Sequence, residues 1–560
     1  MGNHNIDPYL SEGIIAYIGN KRRLLPLIGG AMGKAAGGDL RGLRFADPFS
    51  GSGVVSRYAR TLGMRVTAND WEPYARVLAK AWLEPVPEDI DRLFGGPKGL
   101  EAAVEELNCL PPPARAGQYL ARYYAPASPN PDKADYRTER LFYTRENALK
   151  LDAARNHMES LSVPGETESD ADLRRCLLLA PILYAAATYV NTSGVFKACH
   201  KGFGGHGRDA LSRIMRPIEF RAPAVVEAPP ARVYCRDAAD LVSDGLLADA
   251  DVVYLDPPYN QHQYGSNYHL LNTLVKWDHI PEPLDIGPDG RLTRKAGIRR
   301  DWLDTRSDYC NRSRAQAAFS DLLDGLDAPL LLVSYSTDGI IPFDMLRALC
   351  EDYGRLRLEA DPYPTYRGGR QSIVRKDRNL EFVLIIEKGR RTRPSDRRAV
   401  DRLLLERKVQ LQSGGVFRPG RLASAGRLEG SFWYPELPGG IVAVAMKHSV
   451  RIAELPDVED LVDEDLRTLS EYLGRAQCRT RDEELEVLEE AWLRNPGNSC
   501  DVLKDIPRIL KKMAHKKYRS EFEHRVESLR ESGRRCPESF SRISEEIDRI
   551  EELAAVRFAG

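Results

Sequence analysis

The sequence lacks an excess of one charge, a metal-type cysteine pattern and a long apolar run. Its 81 lysines and arginines face 82 aspartates and glutamates, which leaves a formal net charge of -1. No global field would attract a polyanion, so any nucleic-acid partner has to be bound by local basic patches. The nine cysteines include no C-x-x-C pair, a pattern that fits reduced thiols in a cytosol.

The sequence also lacks a signal for secretion or membrane insertion. Met1 to Leu10 does not show the charged and then apolar pattern of a signal peptide. The longest apolar run, Cys176 to Val190, contains Pro181 and is too short to span a bilayer. It therefore predicts a buried helix, and we expect a cytoplasmic protein with no membrane partner.

The chain does contain a strand that is stopped by an unusual tetrapeptide. Val252 to Leu255 predicts a strand buried on both faces, and Asp256-Pro257-Pro258-Tyr259 follows at once. Proline has no N–H group for a sheet ladder, so both prolines must lie outside the sheet. A carboxylate, a carbonyl and a ring then stand at the carboxyl end of a strand, where open α/β sheets bind ligands. This combination suits a flat heterocycle with an exocyclic amine, and the alternative is a turn that merely contains these residues.

The segment from Ile14 to Ile28 predicts a short apolar strand, a turn and a helix. Gly19 lets a ligand approach the backbone. Lys21 lies at the predicted helix start, where the macrodipole disfavours a cation. A ligand or an acidic partner would explain this lysine, and a plain surface lysine is the alternative.

A second strand, turn and helix run from Leu43 to Ser56. Gly51 and Gly53 permit a tight turn whose N–H groups face an anion or a polar ligand, although a complete G-x-G-x-x-G is absent. The next strand, Met64 to Glu72, ends in acids, and Asp70 follows Gly53 at close to the ~20-residue offset of a ribose-binding acid. Together they predict a nucleoside-binding half. An acid that caps the next helix is the alternative for Asp70.

Residues 82–232 interrupt this alternation with helical segments separated by prolines. Basic residues cluster in three loops that are candidates for phosphate contacts, at 197–221, 290–314 and 367–378. The first loop also holds a cysteine and two histidines, but no second ligand pair has metal spacing. No metal site is therefore predicted at Cys199, His200 and His206.

The α/β pattern resumes after this insertion. Further strands are predicted at Ala231 to Asp237, Leu330 to Tyr335 and Asn379 to Glu387. From about residue 389 the chain reads as a charged linker, one possible strand at Val442 to Met446, and amphipathic helices. The basic run Lys504 to Arg519 is more typical of a solvated helix face than of a nucleic-acid site.

The order of these motifs resembles that of the Dam-like, alpha-group N6-adenine-specific DNA methyltransferases. The resemblance spans about residues 12–388 and is closest at Tyr17-Ile18-Gly19-Asn20-Lys21 and at Asp256-Pro257-Pro258-Tyr259-Asn260. It implies an α/β fold, namely a Rossmann-like S-adenosylmethionine-dependent methyltransferase sheet with a helical target-recognition insertion and a mainly helical C-terminal domain. The implied domains are a catalytic domain at 1–81 and 233–388, the insertion at 82–232, and an accessory domain of unknown role at 389–560.

The resemblance also assigns roles to matching residues, with S-adenosyl-L-methionine as the methyl donor. The catalytic residues would be Asp256, Pro257, Pro258, Tyr259 and Lys21. The cofactor would be bound by Tyr17, Gly19, Asp47, Phe49, Gly51, Gly53, Asp70 and Asp237. Glu72 lies close to Asp70 in sequence and is the alternative ligand for the ribose. The basic loops supply the expected DNA contacts, which are Lys197, Lys201, Arg208, Arg299, Arg300 and Arg370.

The expected chemistry is methylation of an exocyclic amine. Asp256 and the carbonyl of Pro257 would accept both N6 hydrogens of adenine, while Tyr259 stacks on the base. A base inside a duplex is out of reach, so it must be flipped out at a cost of about a few kcal/mol. The expected partners are double-stranded DNA and a cognate restriction endonuclease or defence-system proteins. The alternatives are an N4-cytosine or RNA amino-methyltransferase of the same fold, and a sequence-specific DNA-binding protein that has lost catalysis.

Overall fold

The structure is a computed structural model that describes residues 8–205, 210–361 and 380–559. The chain divides into two compact units. The first consists of Met1–Tyr335, Gly339–Glu359 and Val383–Thr392, and the second of Ser336–Asp338, Ala360–Phe382 and Arg393–Gly560. Among the described residues, no helix combines the length and apolar character that a membrane crossing requires.

A seven-stranded sheet forms the centre of the first unit, with the strand order β3-β2-β1-β4-β5-β7-β6. Its strands are β1 (Arg44–Asp47), β2 (Arg65–Asn69), β3 (Arg232–Tyr234), β4 (Val252–Leu255), β5 (Leu330–Ser336), β6 (Gly354–Asp361) and β7 (Glu381–Lys388). The first five strands in space are parallel, and Phe45 of β1 lies opposite Val66 of β2 and Val252 of β4. This is an open, mostly parallel sheet, so its carboxyl edge is the expected ligand site.

Strand β7 runs against its neighbour β5. The amide of Lys388, at the end of β7, donates a hydrogen bond to the carbonyl of Pro329, just before β5 begins. At the other end, the amide of Thr337 donates to the carbonyl of Leu380. The chain thus returns through the edge strand β6 before β7 enters the sheet between β5 and β6.

Helices cover the sheet and build the insertion. Pro181 lies inside the helix Glu168–Thr188, whose apolar residues are almost all buried, as the sequence predicts. The α-helices of the first unit are Pro8–Ser11, Leu25–Ala36, Val54–Thr61, Pro73–Leu83, Pro87–Phe94, Pro97–Cys109, Leu120–Tyr123, Arg145–Ser160, Glu168–Thr188, Leu211–Ile214, Ala238–Ser243, Tyr264–Asn267, His269–Lys276, Ala315–Gly325 and Phe343–Tyr353. Its 3-10 helices are Arg22–Leu24, Arg115–Gly117, Pro131–Lys133, Asp301–Leu303 and Asp308–Cys310.

From Arg393 onward, the second unit contains a helix, then a small antiparallel sheet, and then a helical bundle. The sheet has the order β10-β9-β11-β12, with β8 paired to β9. Its strands are β8 (Gly426–Glu429), β9 (Phe432–Leu437), β10 (Gly440–Ile441), β11 (Val444–Lys447) and β12 (Arg451–Glu454). The helices of this unit are Pro394–Ser413, Pro419–Ala423, Asp463–Ala476, Arg481–Arg494, Pro496–Asn498, Cys500–Met513, Lys516–Tyr518, Arg519–Arg535, Pro537–Phe540 and Ser544–Ala559.

Three sequence predictions about elements need correction. Ile14 to Ile18 is not a strand but an irregular segment that ends in a turn at Ile18 and Gly19. The backbone groups of Ala16 and Ile18 bond to tyrosine side chains rather than to a neighbouring strand. The edge strand β6 is missing from the prediction, since its alternating Arg, Leu and Glu residues lack the apolar run of a central strand. In the C-terminal part the possible strand at Val442 to Met446 corresponds to β11 (Val444–Lys447), but the other four strands of that sheet are missing from the prediction.

Candidate active site

The carboxyl ends of β1, β2 and β4 open into a cavity of about 930 Å³, including its mouth. Nearly all of the predicted catalytic and cofactor residues line it. They are Tyr17, Gly19, Lys21, Asp47, Phe49, Gly51, Asp70, Asp237, Asp256, Pro257, Pro258 and Tyr259. Gly53 is not a lining residue but the N-cap of the helix Val54–Thr61, with φ 73°. The structure thus brings together segments that are separated by more than two hundred positions.

A buried ion pair lies at the centre of this cavity. The Lys21 Nζ atom is 2.9 Å from Asp256 Oδ1 and donates a hydrogen bond of 3.1 Å to the carbonyl of Gly19. Lys21 is only 3% exposed, and its Nζ lies 5.0 Å from the centroid of the Tyr259 ring. Lys21 directly precedes the 3-10 helix Arg22–Leu24, so the acidic partner that its position called for is Asp256.

The glycine turn is closed by a carboxylate from the next strand. Asp70 Oδ2 accepts the amide of Gly51 at 2.8 Å, and its Oδ1 accepts the amide of Glu72 at 2.9 Å. Gly51 has φ 52°, and a Cβ atom there would approach the Tyr17 ring to 2.8 Å. Burial raises the pKa of Asp70 to about 6, against the two N–H bonds that favour its charged form. Asp70 therefore shapes the turn as well as facing the cavity.

Asp47, at the end of β1, presents a buried carboxylate. Its Oδ2 accepts a hydrogen bond of 2.7 Å from Ser56, while Oδ1 is buried and has no hydrogen-bond partner among the residues that the structure describes. Burial raises the pKa of Asp47 to about 7, and the nearby charge of Asp256 adds to this effect. A buried acceptor without a donor is costly, so this oxygen is suited to receive a donor from a ligand.

Two further acids stand at the rim of the site. Asp237 caps the helix Ala238–Ser243 by accepting the amide of Ala239 at 2.7 Å, and burial raises its pKa. Glu72 is 5% exposed and accepts a hydrogen bond of 2.6 Å from Asn272. Burial also raises the pKa of Glu72 to about 7. Both acids line the cavity, as Asp70 does. Position in the cavity alone therefore does not decide whether Asp70 or Glu72 binds the ribose.

Two tyrosines that are absent from the sequence prediction, Tyr264 and Tyr268, hold the N-terminal segment in place. The Tyr17 ring stacks on Tyr264 and Tyr268, with centroids 5.1 and 5.2 Å apart. The Tyr268 hydroxyl accepts the amide of Ile18 at 2.8 Å, and the Tyr264 hydroxyl donates to the carbonyl of Ile18 at 3.0 Å. The polar run after Tyr259, which contains both tyrosines, is rich in Gln, Asn and Tyr. This composition was the one feature of the sequence that could have pointed to them.

Residues 305–309 form a wall of the cavity that is also absent from the sequence prediction. Thr305, Ser307 and Tyr309 line it, and the Tyr309 ring meets Phe49 edge to face at 5.1 Å. Gln263 ties this wall to the core, because its side chain accepts the amide of Ser307 and donates to the carbonyl of the same residue. The sequence there shows no pattern that predicts such a contact.

The segments that form this site match the sequence of a known protein family. Residues 17–285 match the profile of the D12 class N6 adenine-specific DNA methyltransferase family. The matched region begins at Tyr17 and includes the glycine turn, the insertion and Asp256-Pro257-Pro258-Tyr259. This chain is an adenine-specific DNA methyltransferase.

The methyltransferase also resembles curated bacterial and viral proteins. It is 28% identical over 379 residues to the type II methyltransferase M.NlaIII of Neisseria lactamica, an alignment that covers 66% of this chain and 99% of that relative. It is 29% identical over 376 residues to the modification methylase LlaI of Lactococcus lactis subsp. lactis, covering 66% of this chain and 54% of that relative. M.CviAII of Paramecium bursaria Chlorella virus 1 is 24% identical over 374 residues, covering 67% of this chain and 99% of the viral protein. About one third of the methyltransferase lies outside each alignment.

The basic residues predicted to contact DNA differ in exposure and in their ion-pair partners. Lys197, Lys201 and Arg300 are exposed. Arg299 is 4% exposed, and its guanidinium donates to both Asp278 and Asp301 at 2.7 Å. This arrangement does not support a phosphate contact by Arg299, because its donors already serve two carboxylates. Arg208 and Arg370 lie outside the described residues.

Proposed function

We propose that the enzyme transfers a methyl group from S-adenosyl-L-methionine to N6 of an adenine flipped out of double-stranded DNA, as in Dam-like enzymes. The observation that carries the proposal is the Lys21–Asp256 ion pair at 2.9 Å, in the cavity that Pro257, Tyr259 and the glycine turn also line. A carboxylate held in place by a buried cation is suited to accept a hydrogen bond from an exocyclic amine.

The reactivity of the base depends on its amine lone pair. In adenine this pair is delocalised into the ring, so N6 is a poor nucleophile. If Asp256 and the carbonyl of Pro257 accept the two N6 hydrogens, the lone pair is localised and directed out of the ring plane. As the N–C bond forms and the C–S bond of the donor breaks, N6 loses one proton, and Asp256 is the nearest acceptor. Fixing this geometry supplies much of the acceleration.

Lys21 and Tyr259 orient this acceptor and the base. The Lys21 ammonium favours the ionised form of the Asp256 carboxylate and fixes its position through a second bond to the Gly19 carbonyl. Tyr259 is only 6% exposed and packs edge to face against Tyr335 at 5.5 Å. A ring that is held in this way can offer a rigid surface to a flipped base, which has to leave the duplex to be reached.

The cavity fits the methyl donor on chemical grounds. When bound, S-adenosyl-L-methionine supplies an electrophilic methyl group. The unpartnered Asp47 Oδ1 atom suits its ammonium group, and Gly51 lets the backbone approach a ligand closely. We assign the ribose hydroxyls to Asp70 rather than Glu72, because Asp70 is partly exposed whereas Glu72 is only 5% exposed. Asp237, with Phe49 and Tyr309 nearby in the same lining, would face the adenine of the donor.

The proposal extends to the biological setting. The relatives are named as type II methyltransferases and modification methylases. We infer that this enzyme also modifies DNA at a defined site and that a cognate restriction endonuclease or another defence-system protein acts on DNA that lacks the mark. Lys197, Lys201 and Arg300 are the exposed basic residues that we expect to contact the phosphates.

The test is methylation of plasmid DNA by the purified full chain with labelled donor, followed by nucleoside analysis. We expect N6-methyladenine, and we expect none from Asp256→Ala. Asp249→Ala is the matched control, because Asp249 is an exposed acid in the same unit. N4-methylcytosine as the product would support the rival amine specificity, and incorporation that persists in Asp256→Ala would refute the mechanism.

A further inference from the structure

The helix Cys500–Met513 of the second unit has a strongly basic outer face. Between residues 500 and 519 the sequence holds seven lysines and arginines but only two aspartates. The apolar side of the helix is buried, with residues such as Leu503, Ile506 and Leu510 in the core of the bundle. The exposed basic residues of the helix recur at helical spacing, so they share the opposite face: Lys504, Arg508, Lys511 and Lys512.

The acids of this helix neutralise only one of these four residues, Arg508. Asp505 pairs with Arg451 and with Arg508, the latter at 2.8 Å. Asp501 lies 3.6 Å from Lys447. Across the part of the chain that the structure describes, no carboxylate lies within ion-pair distance of Lys504, Lys511, Lys516 or Lys517. These four lysines therefore keep an uncompensated positive charge.

The end of the helix adds to this charge. Arg481 donates to the carbonyl of Lys512 at 2.8 Å, and Arg557 donates to the carbonyl of Ala514 at 3.0 Å. These guanidinium groups cover the carbonyls that form the negative end of the helix dipole. The exposed Lys516 and Lys517 follow in the next turn. We call the six residues Lys504, Arg508, Lys511, Lys512, Lys516 and Lys517 the basic surface.

We propose that the basic surface binds the phosphate backbone of duplex DNA without reading its sequence. The proposal rests on the proposed function, because the enzyme must hold DNA. Lysine is a point charge that suits phosphates but does not read a base edge through two bonds as arginine does. From Lys504 to Lys511 the helix rises by roughly 10 Å, a length over which one DNA strand presents about three phosphates. A solvated face and a surface for an acidic protein are the competing interpretations.

The experiment measures DNA binding by the full chain as a function of salt concentration. The variant carries Lys504→Gln, Lys511→Gln and Lys516→Gln. The control carries Arg475→Gln, Arg494→Gln and Arg549→Gln in the same unit. These arginines are exposed, each lies beside a glutamate four residues earlier, and their loss changes the net charge by the same amount. The probe is a fluorescent duplex of random sequence.

We expect the variant to bind this duplex more weakly and with a shallower salt dependence, by about 0.9 in the logarithmic slope for each lost phosphate contact. Its kcat on saturating plasmid should equal that of the wild type, and the control should keep the wild-type slope. A variant with the wild-type affinity and slope overturns the proposal. Wild-type protein that binds DNA but methylates none would instead count against the proposed function, so the two failures are distinguishable.

Discussion

Lys21 and Asp256 form a 2.9 Å ion pair that joins the N-terminal segment to the carboxyl end of β4. Both residues face the cavity, and Lys21 is almost fully buried. A buried cation needs a partner, and here the partner is the carboxylate that we propose to contact the target amine. The pair therefore couples the stability of the site to its chemistry.

Replacing Lys21 with methionine should slow methyl transfer by roughly 100-fold, the loss typical of removing one preorganised charged group from an active site. The side-chain volume is largely kept, so the effect reports the charge. Single-turnover kinetics with labelled donor measure it. Lys34→Met is the matched control, because Lys34 forms an exposed ion pair with Glu359 at 2.7 Å in the same unit. Equal rates in both variants would contradict the role of Lys21.

Tyr259→Ala should reduce kcat far more than it reduces affinity for the methyl donor. The ring would stack on the target base rather than on the donor, so only the positioning of the base should suffer. Tyr259→Phe keeps the ring and should retain most of the rate. A comparison of kcat with the donor dissociation constant for both variants checks this, and similar kcat values for Ala and Phe would argue against stacking.

Tyr268→Phe should destabilise the fold and weaken donor binding together. The hydroxyl accepts the partly buried Ile18 amide at 2.8 Å, so its loss should cost about 1 kcal/mol, the lower end of the range for a donor left without a partner. Ile18 adjoins Tyr17 and Gly19, so the cofactor wall should loosen. Thermal unfolding and donor titration measure the two effects. Tyr184→Phe, at a tyrosine that is 37% exposed, should change neither quantity.

Donor affinity should increase as pH rises through about 7, because Asp47 has its pKa raised to about 7 by burial and should bind an ammonium group only when ionised. Below that pH we expect a loss of up to tenfold per pH unit. The ligand-free protein should show the opposite trend in stability. Since the native state holds this proton more tightly than the unfolded chain, its stability falls by up to about 1.4 kcal/mol per pH unit between about pH 4 and 7.

The control for this pH dependence is Asp47→Asn, which cannot ionise. Calorimetric titration should show weak donor binding that no longer varies with pH through this group. Thermal unfolding of the variant should also lose part of its decline between acidic and neutral pH. If donor affinity in Asp47→Asn kept the wild-type pH profile, the titrating group would be another acid. The pKa of Glu72 is also raised to about 7, so Glu72→Gln would be the next variant to measure.

Arg299→Gln should lower the free energy of unfolding by about 2 kcal/mol. A fully buried pair would lose about 3 to 5 kcal/mol, but Asp278 and Asp301 each remain about one-third exposed. Chemical denaturation measures the change. Arg300→Gln, at the exposed neighbour, should instead leave stability intact and weaken DNA binding. A stable Arg299→Gln protein with weakened DNA binding would restore the original prediction of a DNA contact.

The parts of the fold that the sequence predicts are those with strong local patterns. β4 is a continuous apolar run, and the sequence predicts it with the bounds that the structure has. The glycine turn is predicted because its glycines tolerate positive φ. Ile14 to Ile18 has the same apolar character as β4 but forms no strand, because tertiary contacts decide whether a neighbouring strand is available. The edge strand β6 and four of the five strands of the second unit are missing from the prediction, since short, half-exposed strands carry little apolar signal.

The sequence by itself determined the chemistry available to this protein: a carboxylate before two prolines, glycines in a tight turn, and acids at strand ends. These local features depend on properties of single residues, such as a missing N–H group or a missing side chain. They are therefore the same wherever the segment lies in the fold. Only the tertiary structure decided which charges meet. It paired Lys21 with Asp256 and buried Arg299 between two acids, because burial and distance are set by packing between segments far apart in the chain.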